Sequence, residues 1–437
     1  VKLNSQYISS QLAPYHTANK LFIGYSGGVD SHALLHLLAN IPVLKHKLRA
    51  VYVHHGLQAE ADDWASHCQQ ITADLGVHFQ SIKVNAQALP GQSPEEAARN
   101  ARYQAFKQLL GNNDLLIFAQ HRDDQLETFL LQLFRGAGLK GLSGMPAAIN
   151  FADGLLVRPL LEIDQQTIKH YAQQQELQWI EDPSNLDMQF DRNFLRHQVI
   201  PLLEQRWPSL DKTIARVAEH CANAQTQLSS NAKQQMDLIY DADKQCLSII
   251  GLQEHESLTQ QLIIREWLDS LGARMPSQKV MIAIQKDILQ ARTDANPLVQ
   301  HDGYNIQRHR DGLYSVVSKS RPDLQQKIPW IDKSQPLLLP DNGLLEIIAA
   351  QQGIAKTVWQ QNSVEVSYRQ GSEKIALPWR NGRHSLKKLY QDAGIAPWLR
   401  EAMPLIYINN ELAAVAGYWV SADFFVQGVD CINLSWH

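Results

Sequence analysis

The stretch "LFIGYSGGVDSHALLHLL", residues 21–38, constrains the fold of this chain more than any other. Residues 21–25 form an apolar run with the length and residue types of a buried parallel strand. From His32 onward, Ala33, Leu34, Leu37 and Leu38 follow one helical face. Two glycines stand between the runs, so the stretch reads strand, turn, helix. Such a turn places residues 26–31 where backbone N–H groups lack helical partners and the helix dipole is positive. That geometry binds phosphate.

The same order recurs along the chain. Runs at 48–54, 79–84 and 115–119 read as further strands, with helical patterns at 61–75 and 95–110 between them. This alternation predicts an α/β fold with a doubly wound, mostly parallel sheet. At 437 residues the chain is too long for one ordinary core. The α/β pattern continues to about Leu203, helical stretches fill 210–289, and short β-like runs alternate with turns from about Asn296. The expected plan is a catalytic domain at 1–210, a mainly helical middle domain at 211–318 and a small mixed α/β C-terminal domain at 319–437.

Composition narrows the function classes. No segment approaches roughly eighteen uninterrupted apolar residues, so no membrane span or membrane partner is expected. The N-terminus lacks a basic region followed by an apolar core, so no secretory signal is expected. Cys68, Cys221, Cys246 and Cys431 are scattered without a CxxC pair, which argues against a disulfide framework or zinc site and suits a reducing cytoplasm. Net charge is −4, so nucleic-acid contact would need local basic patches.

"SGGVDS" lacks the lysine of a P-loop and the glycine spacing of a dinucleotide fold. Asp30 would repel a bound phosphate unless a Mg²⁺ ion sits between carboxylate and anion. The hexapeptide resembles the pyrophosphate-binding loop of the PP-loop ATP pyrophosphatases, whose sheet is adenine nucleotide alpha hydrolase-like. Members of that superfamily cleave ATP to AMP and pyrophosphate, usually by adenylating a carbonyl oxygen.

A second motif, "AQHRDDQLET" at 119–128, follows a predicted strand. On a helix, Asp124 and Glu127 share a face at i,i+3, and Asp123 and Glu127 at i,i+4. Three readings stand: an acidic first turn favoured by the helix dipole, a metal site including His121, or a pocket for a cationic substrate whose amine must lose a proton. "VHHGL" at 53–57 is either a polar loop or an adenosine contact at the sheet edge, for which His54 is the candidate. "RGAGLKGLSGM" at 135–145 reads as a flexible connection, and "DPSN" as turn chemistry. Arg192 and Arg196, at i,i+4, suit either a solvated helix face or an anion contact.

Taken in order, "SGGVDS", "VHHGL", "EEAARNARY", "HRDDQLET", "RGAGLKGLSGM", "RPLL", "EDPSN" and "DRNFLR" resemble the tRNA(Ile)-lysidine synthetase family. The segment "NGRHSLKKLYQDAGIAPWLREAMPLIY" at 381–407 is similar to that family's C-terminal domain. The resemblance implies ATP, Mg²⁺, L-lysine and an isoleucine tRNA with anticodon CAU, whose wobble cytidine becomes lysidine. Ser26, Gly27, Gly28, Val29 and Ser31 would then hold pyrophosphate, with Asp30 on the metal. Asp124 and Glu127 would hold the substrate lysine. Arg99 or Arg102 would clamp the lysine carboxylate or a phosphate, unless Arg99 merely pairs with Glu95 on a helix surface. Arg192 would contact phosphate or tRNA. Arg380, Arg383, Lys387 and Lys388 form a basic patch expected to grip the tRNA backbone. The competing readings are another PP-loop tRNA modifier that thiolates a base, disfavoured by the isolated cysteines, and a catalytically inactive tRNA-binding protein, disfavoured by the intact Asp30, Asp124 and Glu127. The sequence leaves the oligomeric state open, a homodimer included.

Overall fold

The computed structural model describes residues 2–56, 60–88, 94–292, 295, 297–318 and 323–437, without the side chains of Pro94, Glu95 and Val429. Leu57 of "VHHGL", Asn296 and the Glu95 side chain expected beside Arg99 therefore lie outside the described residues. The chain divides into two compact units, Val1–Leu228 and Ser229–His437.

The first unit is built on six strands: β1 (Leu21–Gly24), β2 (Leu48–His54), β3 (His78–Lys83), β4 (Leu115–Ile117), β5 (Ala148–Phe151) and β6 (Gly154–Val157). Their order is β3-β2-β1-β4-β6-β5, with every pair parallel except the β5–β6 hairpin. The helices are α1 (Ser5–Leu12), α2 (Val29–Ala39), α3 (Pro42–Lys45), α4 (Ala61–Asp74), α5 (Pro94–Leu109), α6 (Arg122–Phe134), α7 (Leu139–Leu142), α8 (Gln165–Gln174), α9 (Asp191–Phe194) and α10 (Ile200–Arg206).

Strand alternation explains the two layers. Leu21, Ile23, Leu48, Ala50 and Tyr52 pack on one face of the sheet in a core shared with Ile8, Cys68 and Ile168 of α1, α4 and α8. Phe22, Val51, Val53 and Leu116 pack on the other face with Phe106 of α5. Helix α2 departs from the one-faced pattern expected of it: Leu34, Leu35, Leu37 and Leu38 are all fully buried, and so is His32 at 2% exposure. It lies within the larger core, where each buried leucine contributes about 2 kcal/mol of apolar burial. That anchors the loop preceding it. The order of strand addition reverses between the parallel neighbours β1 and β4, so the connections after these strands leave in opposite directions and open a crevice at the carboxyl edge.

Helix α11 (Leu210–Ile239) runs through the boundary between the units. In the second unit, α12 (Ile249–Gln253), α13 (Ser257–Ser270) and α14 (Gln278–Ala283) pack with a five-stranded antiparallel sheet. Its strands are β7 (Tyr240–Asp241), β8 (Cys246–Ser248), β9 (Leu298–His301), β10 (Tyr304–His309) and β11 (Gly312–Val317), in the order β7-β8-β11-β10-β9. Trp267, Leu268, Met281, Ile306 and Leu313 form the core there. The remainder holds two antiparallel sheets around Trp330 and Trp359, whose rings meet edge to face at 5.1 Å, and a hairpin of Lys374–Leu377 with Arg380–Ser385. The basic patch spans this hairpin and the following helix, Leu386–Asp392.

Candidate active site

Residues 26–31 close the crevice at the end of β1. Gly27 takes φ +82°, a left-handed conformation that suits glycine. A Cβ there would lie 2.5 Å from Ile180 Cδ1 and 2.9 Å from Cys68 Sγ. Ser31 Oγ donates to Gly28 O at 3.0 Å and accepts from Ser26 N at 3.2 Å, which fixes the turn. Gly28 is the N-cap of α2 and supplies no side chain to its first N–H groups, which stay available to an anion.

The loop borders a cavity of about 560 Å³. Ser26, Gly28, Asp30 and Ser31 line one side, Arg99 and Arg102 of α5 another, and Asp124, Asp182, Asn185 and Arg192 a third, while Tyr52, Val53, Trp64 and Phe118 contribute apolar surface. Arg99 also lies over the Tyr103 ring, 5.0 Å from its centroid. Asp182 N-caps the turn that follows it through Ser184 N at 2.8 Å, which sets Ser184 and Asn185 at the rim.

A buried charge network stands behind the acidic motif. His121 is 1% exposed and faces three carboxylates: Asp30 at 3.6 Å, Asp123 at 3.4 Å and Asp124 at 3.4 Å. Burial opposes its charge, but the close carboxylates of Asp123, Asp124 and Asp30 outweigh it and push its pKa up to about 10. Asp123 turns toward α8, where it accepts from Gln165 N at 2.8 Å. Asp124 closes a capping box, accepting from His121 N at 3.1 Å with one oxygen and from Arg192 Nη2 at 3.0 Å with the other. The acidic turn is thus both a helix cap and part of the cavity wall.

Glu127 lies elsewhere than expected. It is 1% exposed, does not line the cavity, and accepts from Arg192 Nε at 2.6 Å and from Arg196 Nε and Nη2 at 2.5 and 2.9 Å. A buried carboxylate needs this pairing. In this structure both oxygens accept from arginine and Glu127 does not line the cavity, so it positions Arg192 and Arg196. Arg196 sits in a π-helical stretch, Leu195–Val199, between α9 and α10. Its pairing with Glu127 was not foreseen, because the sequence showed only its i,i+4 relation to Arg192.

His54, expected at the nucleoside, does not line the cavity in this structure. It shares the strand face of Tyr52, accepts from Gly56 N at 3.1 Å through Nδ1, and places Nε2 3.2 Å from Asp62. His55 lines the cavity instead, with its Nδ1 buried and unpartnered. Burial, then the nearby Arg102 and His54, lower its pKa to about 4, so it is neutral near pH 7. The end of the strand carries this signal: residue 55 falls just past the carboxyl end of β2, where ligands bind.

Asp30 lines the cavity, and its Oδ1 is buried without a hydrogen-bond partner. That oxygen suits a divalent cation shared with nucleotide phosphates. Among the described residues, no cluster of three or more His, Cys, Asp or Glu side chains is arranged to hold a metal alone, so phosphate oxygens and water would complete its shell. The glycine-rich 135–145 segment stays off the cavity. It forms the short α7, and the Gln125 amide clamps Met145 through its N–H at 2.6 Å and its carbonyl at 2.8 Å. In the basic patch, Arg380 pairs with Asp392 at 3.2 Å and Arg383 with Asp423 at 3.1 Å. Lys387 and Lys388 are exposed and have no ion pair among the described residues.

Comparison with known proteins gives three family matches: a PP-loop domain over residues 2–203, a TilS substrate binding domain over 247–314 and a TilS substrate C-terminal domain over 364–436. Full-length relatives are similar throughout. A tRNA(Ile)-lysidine synthase of Coxiella burnetii is 41% identical over 418 residues, covering 94% of this chain and 92% of that protein. Those of Methylococcus capsulatus and Photorhabdus laumondii are 37% and 39% identical, covering 95% and 98% of this chain and 96% of each relative.

Proposed function

The chain belongs to the tRNA(Ile)-lysidine synthase family, and from that premise we propose how its cavity carries out the reaction. The enzyme is an ATP-using ligase that forms lysidine on tRNA(Ile). Its finer substrate is the wobble cytidine of a CAU anticodon, with L-lysine as the second reactant, so that the tRNA changes from methionine to isoleucine specificity. The observation that carries this reading is the convergence on one cavity of the phosphate loop, the Asp124–Arg192 pair and Arg99 with Arg102.

The chemical problem is that C2 of cytosine carries a poor leaving group. The cytidine O2 attacks the α-phosphorus of ATP, an O–P bond forms, and the bond to pyrophosphate breaks. The lysine ε-amine then attacks C2, AMP leaves with the former O2, and the nitrogen loses a proton. N–H groups at the start of α2, with Ser26 and Ser31, hold the departing pyrophosphate as charge develops on it. Asp30 would hold Mg²⁺, which would supply neutralisation of the phosphate charge when bound. Arg192, backed by Glu127 and Asp124, presents a guanidinium to the anionic intermediate. Asp124 is the acidic-motif carboxylate that borders the cavity; its Oδ1 is held by Arg192 at 3.0 Å, so it receives the lysine ammonium, and then its proton, by exchanging that arginine bond for one to the amine, and the free amine's pKa of about 10.4 makes that help necessary. Arg99 and Arg102 engage the lysine carboxylate or a phosphate, and His55 replaces His54 as the contact to the nucleoside.

Residues 1–210 form the catalytic part, and 211–318 and 319–437 grip the tRNA. No helix among the described residues is long and apolar enough to cross a membrane, and the reaction's substrates place the enzyme in the cytoplasm. Pyrophosphate exchange into ATP tests the first step: the reading requires exchange that depends on tRNA(Ile) and not on lysine. Lysine-dependent exchange without tRNA would instead indicate activation of the amino acid.

A further inference from the structure

Three arginines in the second unit, Arg310, Arg369 and Arg400, lie near one another, and none of them forms an ion pair among the described residues. Arg310 follows β10 and donates from Nη2 to Gln391 O at 3.1 Å, with its guanidinium against Gly394: a Cβ there would lie 2.6 Å from Nη1. Arg400 donates from Nε to Ile395 O at 2.7 Å. His309 Nε2 lies 3.1 Å from Gly394 O, and its ring meets Trp398 edge-on at 6.0 Å. Three basic side chains therefore surround the turn at residues 391–395. Arg369 adds a fourth: its Nε is buried with no hydrogen-bond partner, and its charge acts on both Arg400 and Tyr390.

The nearby acids are committed elsewhere. Asp392 pairs with Arg380. Glu373 accepts from the N–H groups of Gln370 and Gly371. Asp311 accepts from Ser248 Oγ and Ile250 N. Among the described residues no carboxylate forms an ion pair with Arg310, Arg369 or Arg400. Guanidinium groups held together in this way repel one another, and burial raises that cost. Each backbone bond uses one of five N–H donors, so most of the forked donor set remains available. Planar forks with spare donors and no ion-pair partner among the described residues suit an oxyanion, phosphate above all.

We infer that Arg310, Arg369 and Arg400 form an anion site for a backbone phosphate of the tRNA substrate. The site joins residues from the two segments matched by the substrate-binding families, since Arg310 falls within 247–314 and Arg369 and Arg400 within 364–436. Lys387 and Lys388 lie on the helix whose C-terminal end Arg310 and Arg400 hold through Gln391 O and Ile395 O. Assigning the phosphate to tRNA rests on the function proposed above. A single diester phosphate seated there sets the register of the strand without reading its sequence.

The test uses the full chain with Arg369→Gln and Arg400→Gln, each compared with its lysine variant. Titration with tRNA(Ile) at several salt concentrations should show weakening of about fivefold near 0.1 M salt, with the slope of log affinity against log salt flatter by about 0.7–0.9 for a lost phosphate contact. The lysine variants should restore most of the slope. Thermal unfolding should leave Arg369→Gln as stable as the parent or more so, because its removal relieves repulsion; an arginine kept only for structure would lower it. Unchanged affinity and slope in both glutamine variants would overturn the site. So would a stabilisation by inorganic phosphate or pyrophosphate that these variants abolish while tRNA binding is untouched, since the site would then serve a free anion. If the parent bound tRNA with these properties yet formed no lysidine, the functional proposal would fail and the site would stand.

Discussion

Arg196 grips Glu127 with two parallel bonds, Nε to Oε1 at 2.5 Å and Nη2 to Oε2 at 2.9 Å, and the carboxylate between them is 1% exposed. Arg192 completes the shell of Glu127 and also faces the cavity. The guanidinium that lines the cavity is therefore held by a carboxylate that does not.

Glu127→Gln tests this. The variant leaves two guanidinium groups short of a counter-charge, and breaking a buried pair costs about 3–5 kcal/mol. The lower end applies here because both arginines keep about a quarter of their side-chain surface exposed, 24% and 28%. Denaturant unfolding should show a loss of about 3 kcal/mol, and Arg196→Gln should add little to it. Additive losses would show that the two side chains are not coupled.

Gly27→Ala should fail at the phosphate loop. The left-handed φ and the contacts with Ile180 and Cys68 force the loop to shift. ATP binding, followed by calorimetry, should fall by at least an order of magnitude. Wild-type affinity would mean that ATP does not depend on this loop conformation.

Asp30→Asn should keep the fold and lose the first chemical step. Its buried Oδ1 has no protein partner to give up, whereas loss of one electrostatic contact to a developing charge costs about two to three orders of magnitude in rate. Near-normal pyrophosphate release with tRNA would remove Asp30 from the mechanism.

His55 gives a pH signature. Its pKa is lowered to about 4 in the folded chain, against about 6.5 unfolded. The folded state thus binds fewer protons in that interval. Stability from this group is complete above pH 6.5 and declines as pH falls from 6.5 through 4. Denaturant unfolding should show His55→Asn with a shallower acid decline than the parent across this window. Parallel curves would mean that His55 ionises freely.

Much of the first unit was legible because it is written in local pattern. The alternation of Leu21, Phe22 and Ile23 assigns faces, and the glycines before α2 mark the turn. The site was legible only where a residue's place follows from its own strand or helix. His55 and not His54 lines the cavity because residue 55 lies just past the carboxyl end of its strand; parity alone does not decide it, since Tyr52, on the face of His54, lines the cavity too. Glu127 could not be read this way: its partners Arg192 and Arg196 lie 65 and 69 residues further along the chain and meet it only through packing of α6 against α9. The complete burial of α2 was hidden for the same reason, since layers on all sides come from distant segments.

The account stands most directly on one incubation: the full chain with ATP, isotopically labelled L-lysine and tRNA(Ile) bearing a CAU anticodon, followed by digestion of the tRNA to nucleosides. It predicts label in a lysine-substituted cytidine, dependent on ATP, with one AMP and one pyrophosphate released per lysine attached. ATP cleaved with tRNA but no lysine on any nucleoside, or sulfur incorporated into a base in its place, would contradict it.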